Sequence, residues 1–208
     1  MTKKRDVQSR RGQKKKTQRY INYGECVVVD FYPHGKSLGH DRVEEDNPLA
    51  VVITNRWFQL FDVVATSNLK LKVLDHLILT TKNKEIIFFR QIPFKQLSNS
   101  ALAVLPKILN DIVFRSESRF VSFFNKAQPL TSQMHQLQLL PGIGQKRMWA
   151  ILGARKNRFF TSFADFTSRT GISDPTSILV GRVFAELENK PKYRLFTKEF
   201  KGTRSDLG

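Results

Sequence analysis

Residues 131–152 read Thr-Ser-Gln-Met-His-Gln-Leu-Gln-Leu-Leu-Pro-Gly-Ile-Gly-Gln-Lys-Arg-Met-Trp-Ala-Ile-Leu. Met134, Leu137 and Leu140 recur every third residue, which predicts the apolar face of a short helix. Pro141 stops that helix. Ile143 then sits between Gly142 and Gly144, and helical spacing resumes from Arg147 to Leu152. The stretch therefore predicts a helix, a glycine hairpin with Ile143 buried, and a second helix. Two reasons put glycine at 142 and 144: a tight hairpin needs backbone conformations that side chains resist, and a backbone without Cβ lets a ligand come close. The first amides of the second helix point outward at the positive end of its dipole, a ready anion site. Lys146 lies beside that site. Arg155, Lys156 and Arg158 cluster near the end of the same helix, where they either flank a phosphate track or complement the helix dipole.

The charge of the whole chain agrees with an anionic partner. Its 208 residues hold 35 Lys and Arg against 18 Asp and Glu, a net charge of +17, and the pI is near 10.3. Each neutralised phosphate releases condensed counterions, so nucleic acid leads as partner and an anionic membrane trails. Residues 1–20 alone carry nine basic side chains against Asp6, a net +8 with almost no apolar residue. Such an arm cannot pack a core and is expected to be disordered when free. It acts either as a nonspecific phosphate clamp or as a solubilising tail. The remaining 188 residues still carry +9, so the folded body is basic in its own right.

Moving toward the N-terminus from the hairpin, the pattern changes twice. Leu97, Ala101, Leu102, Leu105, Ile108, Leu109, Ile112 and Val113 recur at three and four, predicting a helix with Ser98 as cap and with Pro106 either splitting it or starting a new turn. A second helix over about 116–125 bears Phe120, Val121, Phe123 and Phe124, read as core that joins the two halves of the chain. Between Tyr23 and Ile92 the apolar residues come instead in β-branched and aromatic runs: 25–31, 49–54, 57–65, 69–80 and 85–92. Five strands in about 70 residues suit a small closed barrel of the OB kind, and an SH3-like barrel fits the spacing nearly as well. Tyr32, Arg56, Trp57, Lys70, Lys72 and Arg90 are candidate contacts on that barrel.

Leu140 to Gly144, leucine-proline-glycine-apolar-glycine followed by a helix, resembles the helix-hairpin-helix motif. The resemblance implies sequence-independent contact with one nucleic-acid backbone through Gly142, Ile143 and Gly144, with Gln145, Lys146 and Arg147 adjoining. Met148 departs from the alanine common there. Phe159, Phe160, Phe163, Phe166, Gly171, Ile172, Asp174, Pro175 and a helix over about 176–187 look like a second, degenerate unit that supplies core more than contacts. A longer stretch, about 20–197, resembles an uncharacterised family, known mainly from archaea, that is similar in joining an OB-like barrel to tandem helix-hairpin-helix elements and is described as nucleic-acid binding. Tyr23 to Tyr32, the run Arg119 to Pro129, His135 to Leu152 and Asp174-Pro175 carry that resemblance, which implies no reaction. The expected organisation is α+β: a disordered basic arm (1–20), an OB-like β-barrel (21–94), connecting helices (95–128), an all-α tandem helix-hairpin-helix domain (129–190) and a C-terminal tail (191–208).

Other chemistries find little support. Cys26 is the sole cysteine, which excludes an internal disulfide or a cysteine-based zinc cluster, fits a reducing cytoplasm and reads as a small core residue. No run approaches the length of a spanning helix. His34, His40, Asp41, Glu44, Glu45 and Asp46 share one polar loop and read as solvated rather than as a nuclease metal site. Asp165 stands at a suggestive distance after Gly144 for a glycosylase, but Phe163-Ala164-Asp165-Phe166-Thr167 lacks that superfamily's approach, so it reads as a helix N-terminal residue or cap. There is no phosphate-binding loop of the Walker kind. The sequence thus predicts a cytoplasmic, non-catalytic binder of RNA or DNA backbone, without cofactor or metal. The alternative is a protein-interaction module within a ribosomal, RNA-processing or repair assembly.

Overall fold

The computed structural model describes residues 21–36 and 47–199; the basic arm, the acidic part of the first loop from His40 to Asp46, and residues 200–208 lie outside the described residues. Five strands, β1 (Asn22–Tyr32), β2 (Leu49–Thr54), β3 (Leu60–Ala65), β4 (His76–Thr80) and β5 (Ile86–Ile92), form one antiparallel sheet in the order β4-β1-β2-β3-β5. Successive residues alternate between two cores because a strand turns each side chain to the opposite face from the last. Val27, Val29, Leu49, Val51, Ile53, Leu60 and Val64 point into the core shared with the helices. Cys26, Val28, Ala50, Val52, Phe61 and Val63 point the other way, into a second core with Leu79 and Phe89. Burial on both faces explains why β2, β3 and the middle of β1 read as near-continuous apolar runs.

The sheet is curled. β4 and β5 are its two edges, about 19 Å apart if four inter-strand spacings lay flat, yet residues 81–85, folded into turns by the Asn83 and Ile86 amides donating to the Thr80 and Asn83 carbonyls, join them. The edge strands do not pair, so the closed barrel anticipated from strand count is replaced by a half-barrel whose concave side is filled by side chains. Leu69 and Leu71 pack there from a segment of turns. Only the last part of the run 69–80 joins the ladder, and its burial is mixed: Leu71 and Leu79 are buried, whereas Val73, Leu74 and Ile78 are exposed. Likewise β3 begins at Leu60 because Trp57 and Phe58 belong to a turn, Phe58 with a positive φ of 50°.

Five helices follow: α1 (Asn99–Arg115), α2 (Glu117–Lys126), α3 (Gln145–Asn157), α4 (Phe163–Thr170) and α5 (Pro175–Leu187). Ser98 caps α1 by accepting the Ala101 amide at 3.0 Å. Pro106 neither splits α1 nor starts a new turn; the helix runs through it. Asp30 ties β1 to the start of α1: its carboxylate accepts hydrogen bonds from Ser98, from Tyr32 at 2.8 Å and from Ser100 at 3.0 Å. α1 lies against β1 on one side and α5 on the other, so a single apolar cluster runs from Val27 to Phe196. No helix among the described residues is long and apolar enough to cross a membrane.

Candidate nucleic-acid interface

The approach to the hairpin is shorter than predicted. Residues 136–139 form one 3-10 turn, with Leu137 and Leu140 buried and Met134 substantially exposed, so Met134 is not part of the apolar face. His135 starts that turn through a reciprocal box: its Nδ1 accepts the Leu137 amide at 3.1 Å, and its own amide donates to Gln138 Oε1 at 2.8 Å. Burial, with Arg155 nearby, pushes the His135 imidazole below its ordinary 6.5, which favours the neutral form that can accept.

Between Leu140 and α3 the chain makes the hairpin. Ile143 is only 3% exposed and anchors it, while Gly142, Gly144, Gln145, Lys146 and Arg147 are exposed. The two glycines differ. Gly142 has φ +73°, which side chains resist. Gly144 has φ −80° and ψ −175°, extended backbone open to any residue, and an added Cβ would meet nothing within 4 Å. The conformational reason given for both glycines therefore holds for 142 alone. At 144 glycine's conformational freedom is not needed; the residue is the N-cap of α3, where glycine is tolerated, and it leaves the backbone open to close approach. Arg147 reaches back so that its Nη1 donates to the Gly142 carbonyl at 2.9 Å, bracing the hairpin.

The start of α3 has no side-chain cap. Its first amides consequently have no intrahelical acceptor and carry the positive end of the helix dipole. The helix α5 shows the opposite arrangement: the Asp174 carboxylate accepts the Ser177 amide at 3.0 Å and the Ser177 hydroxyl, so an anionic group of the chain already occupies that end. An anion from outside finds the α3 end open and the α5 end filled.

The basic cluster near the end of α3 is broken up. Arg155 turns inward, its Nη1 and Nη2 donating at 2.9 Å to the carbonyls of Phe124 and Ala127. It satisfies orphan carbonyls at the end of α2, and burial pushes its guanidinium pKa down. Its two terminal nitrogens thus serve the fold as a cap on α2. Arg158 pairs with Asp165 at 2.9 Å. That Asp165 is the third residue of α4; it also pairs with Arg169 at 3.2 Å and accepts the Thr161 amide. Lys156 remains exposed. Together with Lys146 and Trp149 it follows the three-and-four spacing of one helix face. Trp149, 61% exposed, was missed in the sequence. Its signal was an indole falling off the Met148, Ile151 and Leu152 face.

On the sheet, Tyr32 donates to Asp30 and Arg90 pairs with the buried Asp62 at 3.1 Å, while Lys70 and Lys72 are exposed on the turns before β4. What holds the hairpin in place was also missed. Arg182 Nη1 donates to the Leu139 carbonyl at 3.0 Å, directly before the hairpin, and its Nε meets Glu186 at 2.7 Å. Glu186, with no solvent exposure, further accepts the amides of Leu195, Phe196 and Thr197. The pair thus locks the chain after α5 and the entry to the hairpin onto one helix. Charged residues four apart in the apolar run Ile-Leu-Val-Gly-Arg-Val-Phe-Ala-Glu-Leu were the readable sign of it.

Comparison with known proteins places this frame. The chain is 32% identical over 201 residues to the uncharacterized protein MJ0038 of Methanocaldococcus jannaschii, covering 95% of this chain and 89% of that one. Its fold is similar to the crystal structure of Af1531 from Archaeoglobus fulgidus, with a TM-score of 0.74 and 34% identity over 84% of this chain and 99% of the other. The profile described as "Protein of unknown function (DUF655)" matches residues 23–198, so the chain belongs to the DUF655 family.

Proposed function

We propose that the chain is a non-catalytic nucleic-acid-binding protein that grips one phosphate backbone at the hairpin, in the manner of a helix-hairpin-helix unit carried by an OB-like half-barrel. The observation that carries the reading is the exposed, uncapped start of α3 behind a glycine whose conformation does not require glycine. Phosphate oxygens accept the free amides of Gln145, Lys146 and Arg147, and Gly144 lets them come close. Lys146 and Lys156 add charge along the same helix face, and the basic residues 1–20 add a sequence-independent clamp. In the same reading α4 and α5 form the degenerate second unit, which packs and does not grip. None of these contacts reads base edges, so RNA and DNA of any sequence are ligands. The working compartment is the cytoplasm.

The test is a salt titration of binding to single- and double-stranded RNA and DNA, with the full chain and with a chain lacking residues 1–20. The paired reversal Lys146→Glu and Lys156→Glu avoids Arg147, whose side chain braces the hairpin. Losing two phosphate contacts should weaken all sequences alike and flatten the slope of log K against log salt by up to about 1.8 on duplex DNA. Loss of all binding with the arm would refute the hairpin reading and favour a protein-interaction module.

A further inference from the structure

A groove of about 780 Å³ lies away from the hairpin, between the start of β1, the turn joining β2 to β3, and the junction of α1 with α2. Arg56, Arg115, Arg119 and Lys198 line it, against Glu25 as the one carboxylate of its lining. Glu25 is already engaged by His76 Nδ1 at 3.0 Å, and Arg115 by Asp111 at 2.7 Å. That leaves Arg56, Arg119 and Lys198, which have no carboxylate partner among the described residues.

Arg119 is the unusual member. Its side chain is half-buried, with the guanidinium 5.5 Å from the Phe58 ring and 5.0 Å from the Phe120 ring, and its Nη1 donates only to the Asn55 carbonyl, at 3.1 Å. Burial and repulsion from Arg56 both work against its charge. A partly desolvated cation without a counter-charge is stabilised when an anion joins it. Asn55, in the same lining, has its Oδ1 buried without a hydrogen-bond partner. The polar groups of this groove are thus incompletely satisfied within the described chain. Over them stands Trp57, half-buried, with the Lys198 ammonium 4.7 Å and the Arg56 guanidinium 5.6 Å from its ring.

From this juxtaposition we infer that the groove binds a nucleotide unit of a single-stranded nucleic acid, its phosphate between Arg56 and Arg119 and its base stacked on Trp57. The volume suits one or two nucleotides. An indole set in a groove can stack only an unpaired base, because a duplex keeps its base faces covered. Arg56 is exposed, so it swings off the ring as the base arrives, while Lys198 stays. A polymer is favoured over a free nucleotide because the arm of residues 1–20, net +8, is joined to the chain at Ile21, next to Asn22 in the lining. This contact is independent of the hairpin.

The chain has two tryptophans, Trp57 and Trp149, which gives each site its own probe. Full-length Trp149→Phe leaves Trp57 as the fluorophore, and full-length Trp57→Phe leaves Trp149. Each is titrated with a short oligothymidylate, a blunt DNA duplex and thymidine monophosphate. Single strands should quench Trp57 at concentrations at which the duplex and the mononucleotide do not. Arg56→Glu, at an exposed turn, should weaken that titration about fivefold or more while leaving the melting temperature unchanged. Trp57 fluorescence unmoved by a saturating single strand, equal quenching by the duplex or by the mononucleotide, or a titration indifferent to Arg56→Glu would each overturn the inference. A Trp149 response without a Trp57 response would overturn it while leaving the hairpin reading intact.

Discussion

Replacing each hairpin glycine by alanine separates what the fold requires from what a ligand requires. At Gly142 the backbone has φ +73°, and holding an L-residue there costs about 1–2 kcal/mol. The added Cβ would lie 3.3 Å from Arg147 Nη1, the end of an exposed side chain that can move aside, so strain is the main cost. For a chain of this size that lowers the melting temperature by roughly 2–8 °C. At Gly144 the backbone is extended and the space is open. Alanine gains about 0.4–1 kcal/mol by restricting the unfolded chain and gives back a similar amount, about 1 kcal/mol or less, as a poorer cap than glycine. Gly144→Ala should therefore melt within about 2 °C of the parent. Binding should show the reverse order of severity. A methyl group at 144 stands where a phosphate must approach, and losing one charge-assisted amide bond, about 1.5–3 kcal/mol, weakens affinity roughly tenfold or more. Calorimetry gives the melting temperatures, and anisotropy with a labelled oligonucleotide, on the chain lacking residues 1–20, gives the affinities. Unchanged affinity in Gly144→Ala would refute contact at that backbone. A melting temperature as low as that of Gly142→Ala would refute the conformational distinction.

Two further outcomes concern stability. Glu186→Ala leaves Arg182 buried without its carboxylate and releases the amides of residues 195–197, which should cost about 3–5 kcal/mol in urea unfolding; a loss under about 1 kcal/mol would refute the lock. His135 should make the hairpin entry acid-sensitive. Its folded pKa lies below the ordinary 6.5, so between the two values the unfolded chain binds more protons, and stability falls as pH drops from about 6.5 through the folded pKa. His135→Asn, whose side-chain oxygen can accept the same amide at every pH in that window, should flatten this dependence in thermal melts. An unchanged slope would refute the assignment.

The parts of this chain that were legible in the sequence are those where one local pattern decides the outcome. Strand β2 matches its apolar run residue for residue because both its faces are buried. The cap at Ser98 and the burial of Ile143 were readable for similar reasons: one needs a hydroxyl before a periodic run, the other an apolar residue between glycines. What was not legible depends on partners distant in sequence. The run 69–80 looked like one strand because apolar spacing does not report hydrogen-bond pairing: Leu71 is buried and Leu69 half-buried from outside the ladder, while Val73 and Leu74 are exposed in a turn. Arg155 looked like a phosphate contact because sequence gives its charge but not the orphan carbonyls of α2, about 30 residues earlier, that draw it inward. Pro106 looked like a helix break, but packing of α1 between the sheet and α5 outweighs the lost backbone bond.

The contrast between the two helix starts bears most directly on function. Both α3 and α5 follow short loops in the same helical half of the chain, and both begin with amides that need acceptors. The chain satisfies α5 with Asp174, at the cost of a left-handed backbone, φ +49°, at a non-glycine residue. It leaves α3 without a side-chain acceptor, although a serine or aspartate at 144 would fit the open space there and contribute about 1 kcal/mol. A chain built for stability alone would cap both ends. An aspartate at 144 would also put a fixed negative charge where a phosphate has to sit. The uncapped end and the neighbouring Lys146 are therefore consistent with one requirement, an anion that comes and goes.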